Sequence, residues 1–166
     1  MAVDIACDLE IPRPHAEVAA YASDPDNTTS WYANIEAVEW ETPRPLAVDT
    51  RLAFISIFLG RRLSYTYEIR EFEPGERLVM STAQGPFPME TTYAWQVAGD
   101  RATKMTLRNC GEPAGFATFA TPVVARSMKR AMTKDLERLS AILQRRASLL
   151  APMSASEAKR VWRNLR

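Results

Sequence analysis

Six strand-like segments between Ile35 and Gly111, followed by one long amphipathic helix, constrain this chain more than any other feature. A further strand opens the sequence. Val3, Ile5, Cys7, Leu9 and Ile11 alternate with Asp4, Ala6, Asp8 and Glu10, the period-2 signature of a strand buried on one face. The later segments, over 35–41, 51–59, 63–72, 78–84, 87–97 and 103–110, are mostly joined by short linkers, which require antiparallel neighbours. The helix spans about 116–146. A curved antiparallel sheet wrapped around a single long helix encloses a cavity, so this order implies a container for a small apolar molecule.

Pro12 and Pro14 break the ladder after the first strand, and Pro14 suits the first turn of a helix carrying Val18, Ala19 and Ala22. Residues 23–27 end that helix and begin a second short turn leading to Trp31. Within the strands, alternation assigns faces. Tyr65, Tyr67 and Ile69 share one face, as do Met89, Thr91, Tyr93 and Trp95, and Met105, Leu107 and Asn109. These face the core with Leu78, Met80 and Thr82, which sends Glu68, Arg70, Glu90 and Arg108 outward. The 51–59 segment is apolar on both faces, so its register stays open and a homodimer through it is one outcome. On the long helix, Met128, Met132, Asp135, Leu136, Leu139, Ile142 and Leu143 form the apolar stripe. Pro122 predicts a kink or break early in it.

The 166 residues suit one domain, expected over 1–147, with a tail over 148–166. Ser154 and Glu157 make a capping-box pattern there, and Ala158, Val161, Trp162 and Leu165 give the tail helix a stripe that should bury Trp162 against protein. No apolar run approaches a membrane span and no charged-then-apolar segment opens the chain, so the expectation is a cytoplasmic protein without integral membrane association. The net charge of +1 conceals a split: residues 126–166 carry eleven Lys/Arg against three Asp/Glu. That basic stretch lacks the aromatic interleaving of a single-stranded nucleic-acid surface, and no nucleic-acid partner is expected. Cys7 and Cys110 are too few for a disulfide framework, and His15 is the sole histidine, so neither a metal site nor a cofactor is expected.

Strand, two short helices, six strands and a long C-terminal helix resembles the order of the START-like helix-grip superfamily, which includes polyketide cyclases/dehydratases and lipid-transfer domains. The resemblance covers about 2–146. Its marks are Ile11-Pro12, Asp24-Pro25 followed by Trp31, Leu59-Gly60-Arg61-Arg62, Phe72-Glu73-Pro74-Gly75-Glu76-Arg77-Leu78 and Lys134-Asp135-Leu136. It implies an α+β helix-grip fold: a curved antiparallel seven-stranded sheet around a long C-terminal helix, with two short helices after strand 1. It also implies that the loops at Gly85–Pro88 and Gly111–Gly115 border a cavity entrance.

Tyr65, Tyr67, Thr82, Thr91, Tyr93 and Asn109 project from adjacent strands into one space, the mostly apolar setting with a few converging polar groups from which small-molecule sites are built. Met80, Met89 and Met128 add adaptable apolar lining, and Trp31 completes the candidate ligand-binding set. Titratable groups for acid–base work are scarce. Asp135 reads as a structural hydrogen-bond acceptor at the helix surface, Glu112 as a loop residue and His15 as an exposed residue of the first helix. Three functions remain open: binding of a small hydrophobic molecule such as a lipid or aromatic polyketide-like compound; a cyclase, dehydratase or hydrolase using Tyr65, Tyr67 or Tyr93 as acid; and an interaction protein with a vestigial cavity.

Overall fold

The computed structural model describes residues 3–58, 60–86, 88–111 and 122–151. Strand β1 (Val3–Ile11) leads through α1 (His15–Ser23), a 3-10 turn (Pro25–Asn27) and α2 (Thr28–Trp31) into six further strands. These are β2 (Ile35–Trp40), β3 (Arg51–Phe58), β4 (Arg61–Glu73), β5 (Arg77–Gln84), β6 (Met89–Gly99) and β7 (Ala102–Gly111), and α3 (Pro122–Leu150) follows. All seven strands form one antiparallel sheet in the order β1-β7-β6-β5-β4-β3-β2, so the chain returns beside its own first strand. The α+β helix-grip expected from the sequence is the fold observed.

Local chemistry explains the connections. Pro14 caps α1, its carbonyl accepting from the Glu17 and Val18 amides at 3.1 Å each. The Asp24 carboxylate accepts from the Asp26 amide at 3.0 Å, opening the 3-10 turn, while the Asn27 side chain closes it back onto the Tyr21 carbonyl at 3.1 Å. Gly60 and Gly75 take positive φ (74° and 86°) in the β3–β4 and β4–β5 turns, a region costly for residues with a Cβ.

The core lies between the concave face of the sheet and α3. Ile69, Met105, Leu107, Leu136 and Leu139 have no exposed surface. One end of this layer is plugged: α1 packs on β6 and β7, and Arg146 near the end of α3 stacks over the Tyr21 ring of α1 at 4.9 Å. The segment between β2 and β3 is held by Asp26, which accepts from the Trp40 indole at 2.9 Å and pairs with Arg44.

Several expectations are revised. β4 begins at Arg61 and β6 at Met89, each two residues from the sequence reading, and α3 runs on to Leu150. The described helix starts at Pro122, where a proline costs no hydrogen bond. The expected start near Phe116, the resulting kink, Glu112 and the tail with Trp162 lie outside the described residues. Pairing of Leu52 with Tyr67 and Phe54 with Tyr65 settles the open register of β3: Leu52, Phe54 and Ser56 point inward. β3 is an internal strand, which leaves only its convex face, with Ile57 37% exposed, for another molecule. Glu68 does project outward but is buried, because Arg51 (2.9 Å) and Arg70 (2.5 Å) cover its carboxylate.

Candidate functional site

Burial changes systematically along the concave face. In β4, Tyr67 is 4% exposed, yet Tyr65 and Leu63, one and two inward steps on, keep accessible surface. The same step occurs from Met80 to Thr82 in β5, from Thr91 to Met89 in β6, from Leu107 to Asn109 in β7 and from Met132 to Met128 in α3. The register places all of these steps at the same end, opposite α1. Inward side chains are therefore buried over the middle of the sheet and regain accessible surface toward the end opposite α1.

The ten residues singled out by the sequence divide across this boundary. Trp31, Tyr67, Met80, Thr91 and Tyr93 belong to the packed interior. Tyr65, Thr82, Met89, Asn109 and Met128 line the open end. Between the sheet, the β2–β3 segment and the turn after α1, Leu46, Leu52, Ile69, Leu78, Met80 and Tyr93 border a small recess of about 10 Å³, room for about one water and no more.

Aromatic packing and hydrogen bonds link the two halves. Tyr65 stacks on Phe54 with ring centroids 5.7 Å apart, and Tyr67 meets both edge-on at 5.2 Å. The Tyr67 hydroxyl lies 2.9 Å from Thr91 Oγ1, which donates to Asn109 Oδ1 at 2.8 Å. Thr82 Oγ1 accepts from the Met89 amide at 2.9 Å, fixing the β5–β6 hairpin against the open end. Two glycines permit that closure. A Cβ on Gly85 would lie 2.9 Å from Tyr65 Cβ, and one on Gly111 would lie 2.7 Å from the Pro88 carbonyl oxygen.

A second polar group lies deeper. The Tyr93 hydroxyl donates to the Tyr32 hydroxyl at 3.0 Å, and Trp31 packs on both rings at 5.7 and 4.2 Å. Burial raises the pKa of both hydroxyls, and those of Tyr65 and Tyr67, so all four stay protonated at neutral pH. Asp135 of α3 accepts from the Ala33 amide at 3.0 Å. The structural acceptor role is as expected, but the residue is buried at 5% exposure, and that burial raises its pKa to about 6 against the opposing effects of the Ala33 N–H and Arg138. The indole N–H groups of Trp31 and Trp95 have no partner among the described residues, which marks both rings as packing elements.

Sequence reasoning missed Tyr32. It follows a 3-10 turn and a one-turn helix, where neither period 2 nor period 3.6 predicts a direction; its one signal was adjacency to Trp31. Among the described residues no cluster of His, Cys, Asp or Glu could hold a metal, and no helix is long and apolar enough to cross a membrane.

Residues 3–144 match the protein family described as polyketide cyclase / dehydrase and lipid transport. No curated protein matches the sequence. Among solved structures, a protein of Thermus thermophilus superposes with a TM-score of 0.73 at 19% identity, covering 87% of this chain and 99% of that one. The Zhui aromatase/cyclase of a Streptomyces species gives 0.70 at 16% identity, covering 89% and 96%. A START superfamily protein from Mycobacterium smegmatis gives 0.65 at 15% identity, covering 89% and 99%. At these identities the likeness is one of fold.

Proposed function

This chain belongs to the polyketide cyclase/dehydrase and lipid transport family, and from that premise we propose that it holds a small hydrophobic molecule, a lipid or an aromatic polyketide-like compound, at the open end of its sheet. The observation that carries the reading is the step in burial: Tyr65, Thr82, Met89, Asn109 and Met128 face inward yet keep surface that a ligand would cover. Covering about 200 Å² of apolar surface there would contribute about 5 kcal/mol, enough for a recognisable complex before orientation costs. The packed half serves as a rigid floor. An aromatase/cyclase among the structural neighbours supports the aromatic class of ligand.

Native mass spectrometry of the purified protein, with analysis of an organic extract, tests the proposal alongside titration with an environment-sensitive apolar fluorophore. Saturable uptake of about one equivalent is expected, with at least tenfold weakening by Met128→Asp, because a carboxylate there would have to be desolvated against the ligand. Absence of saturable uptake by the unmodified chain, or indifference to that substitution, would refute it.

A cyclase or dehydratase acting on the same ligand is the second reading, and one observation narrows it. Of the three tyrosines considered as acids, Tyr65 alone keeps accessible surface, while Tyr67 and Tyr93 are each 4% exposed. If turnover of an aromatic polyketide-like substrate is detected, Tyr65→Phe should abolish most of it and Tyr93→Phe should not. Equal sensitivity at both positions would remove Tyr65 as the acid.

A further inference from the structure

Proton bookkeeping along one hydrogen-bond chain fixes the polarity of the open end. Thr91 has a single hydroxyl proton and gives it to Asn109 Oδ1 at 2.8 Å. The Tyr67–Thr91 contact at 2.9 Å must then run from Tyr67 to Thr91. The reverse order would need the Asn109 amide turned over, with Thr91 donating inward to Tyr67. The Tyr67 proton would then face a packed interior where no other acceptor among the described residues lies within reach, at the cost of an unmade buried hydrogen bond. The buried end therefore selects the direction Tyr67 → Thr91 → Asn109. This direction uses the Asn109 carbonyl oxygen and leaves its N–H2 group with no hydrogen bond among the described residues, on a side chain that keeps accessible surface. A second hydroxyl lies on the same concave face: Tyr65 keeps accessible surface, its ring stacked on Phe54 at 5.7 Å and set edge-on to Tyr67 at 5.2 Å.

We propose that Asn109 and Tyr65 make the open end a hydrogen-bond-donating site, selecting apolar ligands that carry a carbonyl-type acceptor over hydrocarbons of the same shape. The inference rests on the ligand-binding reading above and deepens it. Affinity comes from the apolar walls of Met89 and Met128, and orientation comes from a carbonyl oxygen received by the Asn109 N–H2, with the Tyr65 hydroxyl a second donor on the same face. The relay behind Asn109 sharpens the effect, because donation from Thr91 to its carbonyl oxygen polarises the amide and strengthens its N–H donors.

A matched pair of probes, 2-acetylnaphthalene and 2-ethylnaphthalene, tests this by isothermal titration with the full chain. They differ in little beyond the ketone oxygen. The expected result is about tenfold tighter binding of the ketone, the scale of one good directional hydrogen bond. Asn109→Asp keeps the acceptor for Thr91 but has no N–H2; it should weaken both probes, the ketone more, so that the ratio of the two affinities falls to about one. Tyr65→Phe keeps the stacked ring and should reduce the preference without abolishing it, which provides a second reading should the aspartate variant fold poorly. Binding of both probes with no preference, or a preference that survives both substitutions, would overturn the donor assignment while leaving the apolar site intact. Failure of both probes to bind the unmodified chain would remove the ligand-binding reading and this inference with it.

Discussion

Asp135 is a carboxyl on the apolar stripe of α3, buried, with a pKa raised to about 6 by that burial. Its folded-state pKa lies above the unfolded value of 3.8, so between pH 4 and 6 the folded chain binds the proton more tightly. The contribution of this group to stability is then greatest at low pH, falls as pH rises through that window and is flat above it. A shift of about two units corresponds to at most about 3 kcal/mol. Asn at this position keeps an oxygen for the Ala33 amide without the charge. Asp135→Asn should therefore be more stable than the parent by roughly 1–3 kcal/mol at pH 7 and about equal to it at pH 4, measured by urea unfolding at both values. A difference independent of pH would show that the carboxyl is not titrating in this window. The helical period had already placed residue 135 on the inward stripe; expectation erred in preferring a surface position for a carboxylate, because the partner that makes burial tolerable is a backbone amide 102 residues away.

At the scale of elements, legibility followed the clarity of alternation. β1, β6 and β7 each carry one apolar and one polar face, and their inward sets are as read. β3, with Leu52, Phe54, Ile55 and Ile57 on both faces, has a register that only its partner β4 decides. Strand pattern also could not reveal which inward residues remain accessible, since that depends on where α1 and the β2–β3 segment plug the sheet. The turns carry the remaining information. Gly85 and Gly60 both sit in hairpins, but for different reasons. A Cβ at residue 85 collides with Tyr65, whereas a Cβ at residue 60 meets nothing within 4 Å and suffers only from its positive φ. Gly60→Ala should cost about 1 kcal/mol of stability and leave ligand affinity unchanged. Gly85→Ala should displace Tyr65 or the β5–β6 hairpin and weaken binding of an acceptor-bearing probe at least fivefold. Thermal unfolding together with probe titration of the two variants separates strain from site geometry; equal effects on affinity would mean that the hairpin does not shape the site.

Across the whole molecule, the step in burial separates the packed core from the proposed site along one axis. Leu136 on α3 has no exposed surface and belongs to the packed half, where the neighbours that would have to collapse onto a vacancy are themselves fixed in the core. Leu136→Ala should cost about 2–5 kcal/mol, and ligand affinity among the molecules that remain folded should change little. Met128 lies two helical turns earlier on the same stripe, at the end where inward surface is still accessible. Its truncation to Ala removes contacts that are only partly made in the free protein, so the stability cost should stay below about 1.5 kcal/mol. The lost ligand contact, by contrast, should weaken binding of an apolar probe by about three- to tenfold. Urea unfolding and probe titration on both variants give four values, and the expected pattern is crossed: large and small for Leu136, small and large for Met128. A Met128→Ala variant as destabilised as Leu136→Ala would mean that the open end is packed core, and the place assigned to the ligand would have to be abandoned.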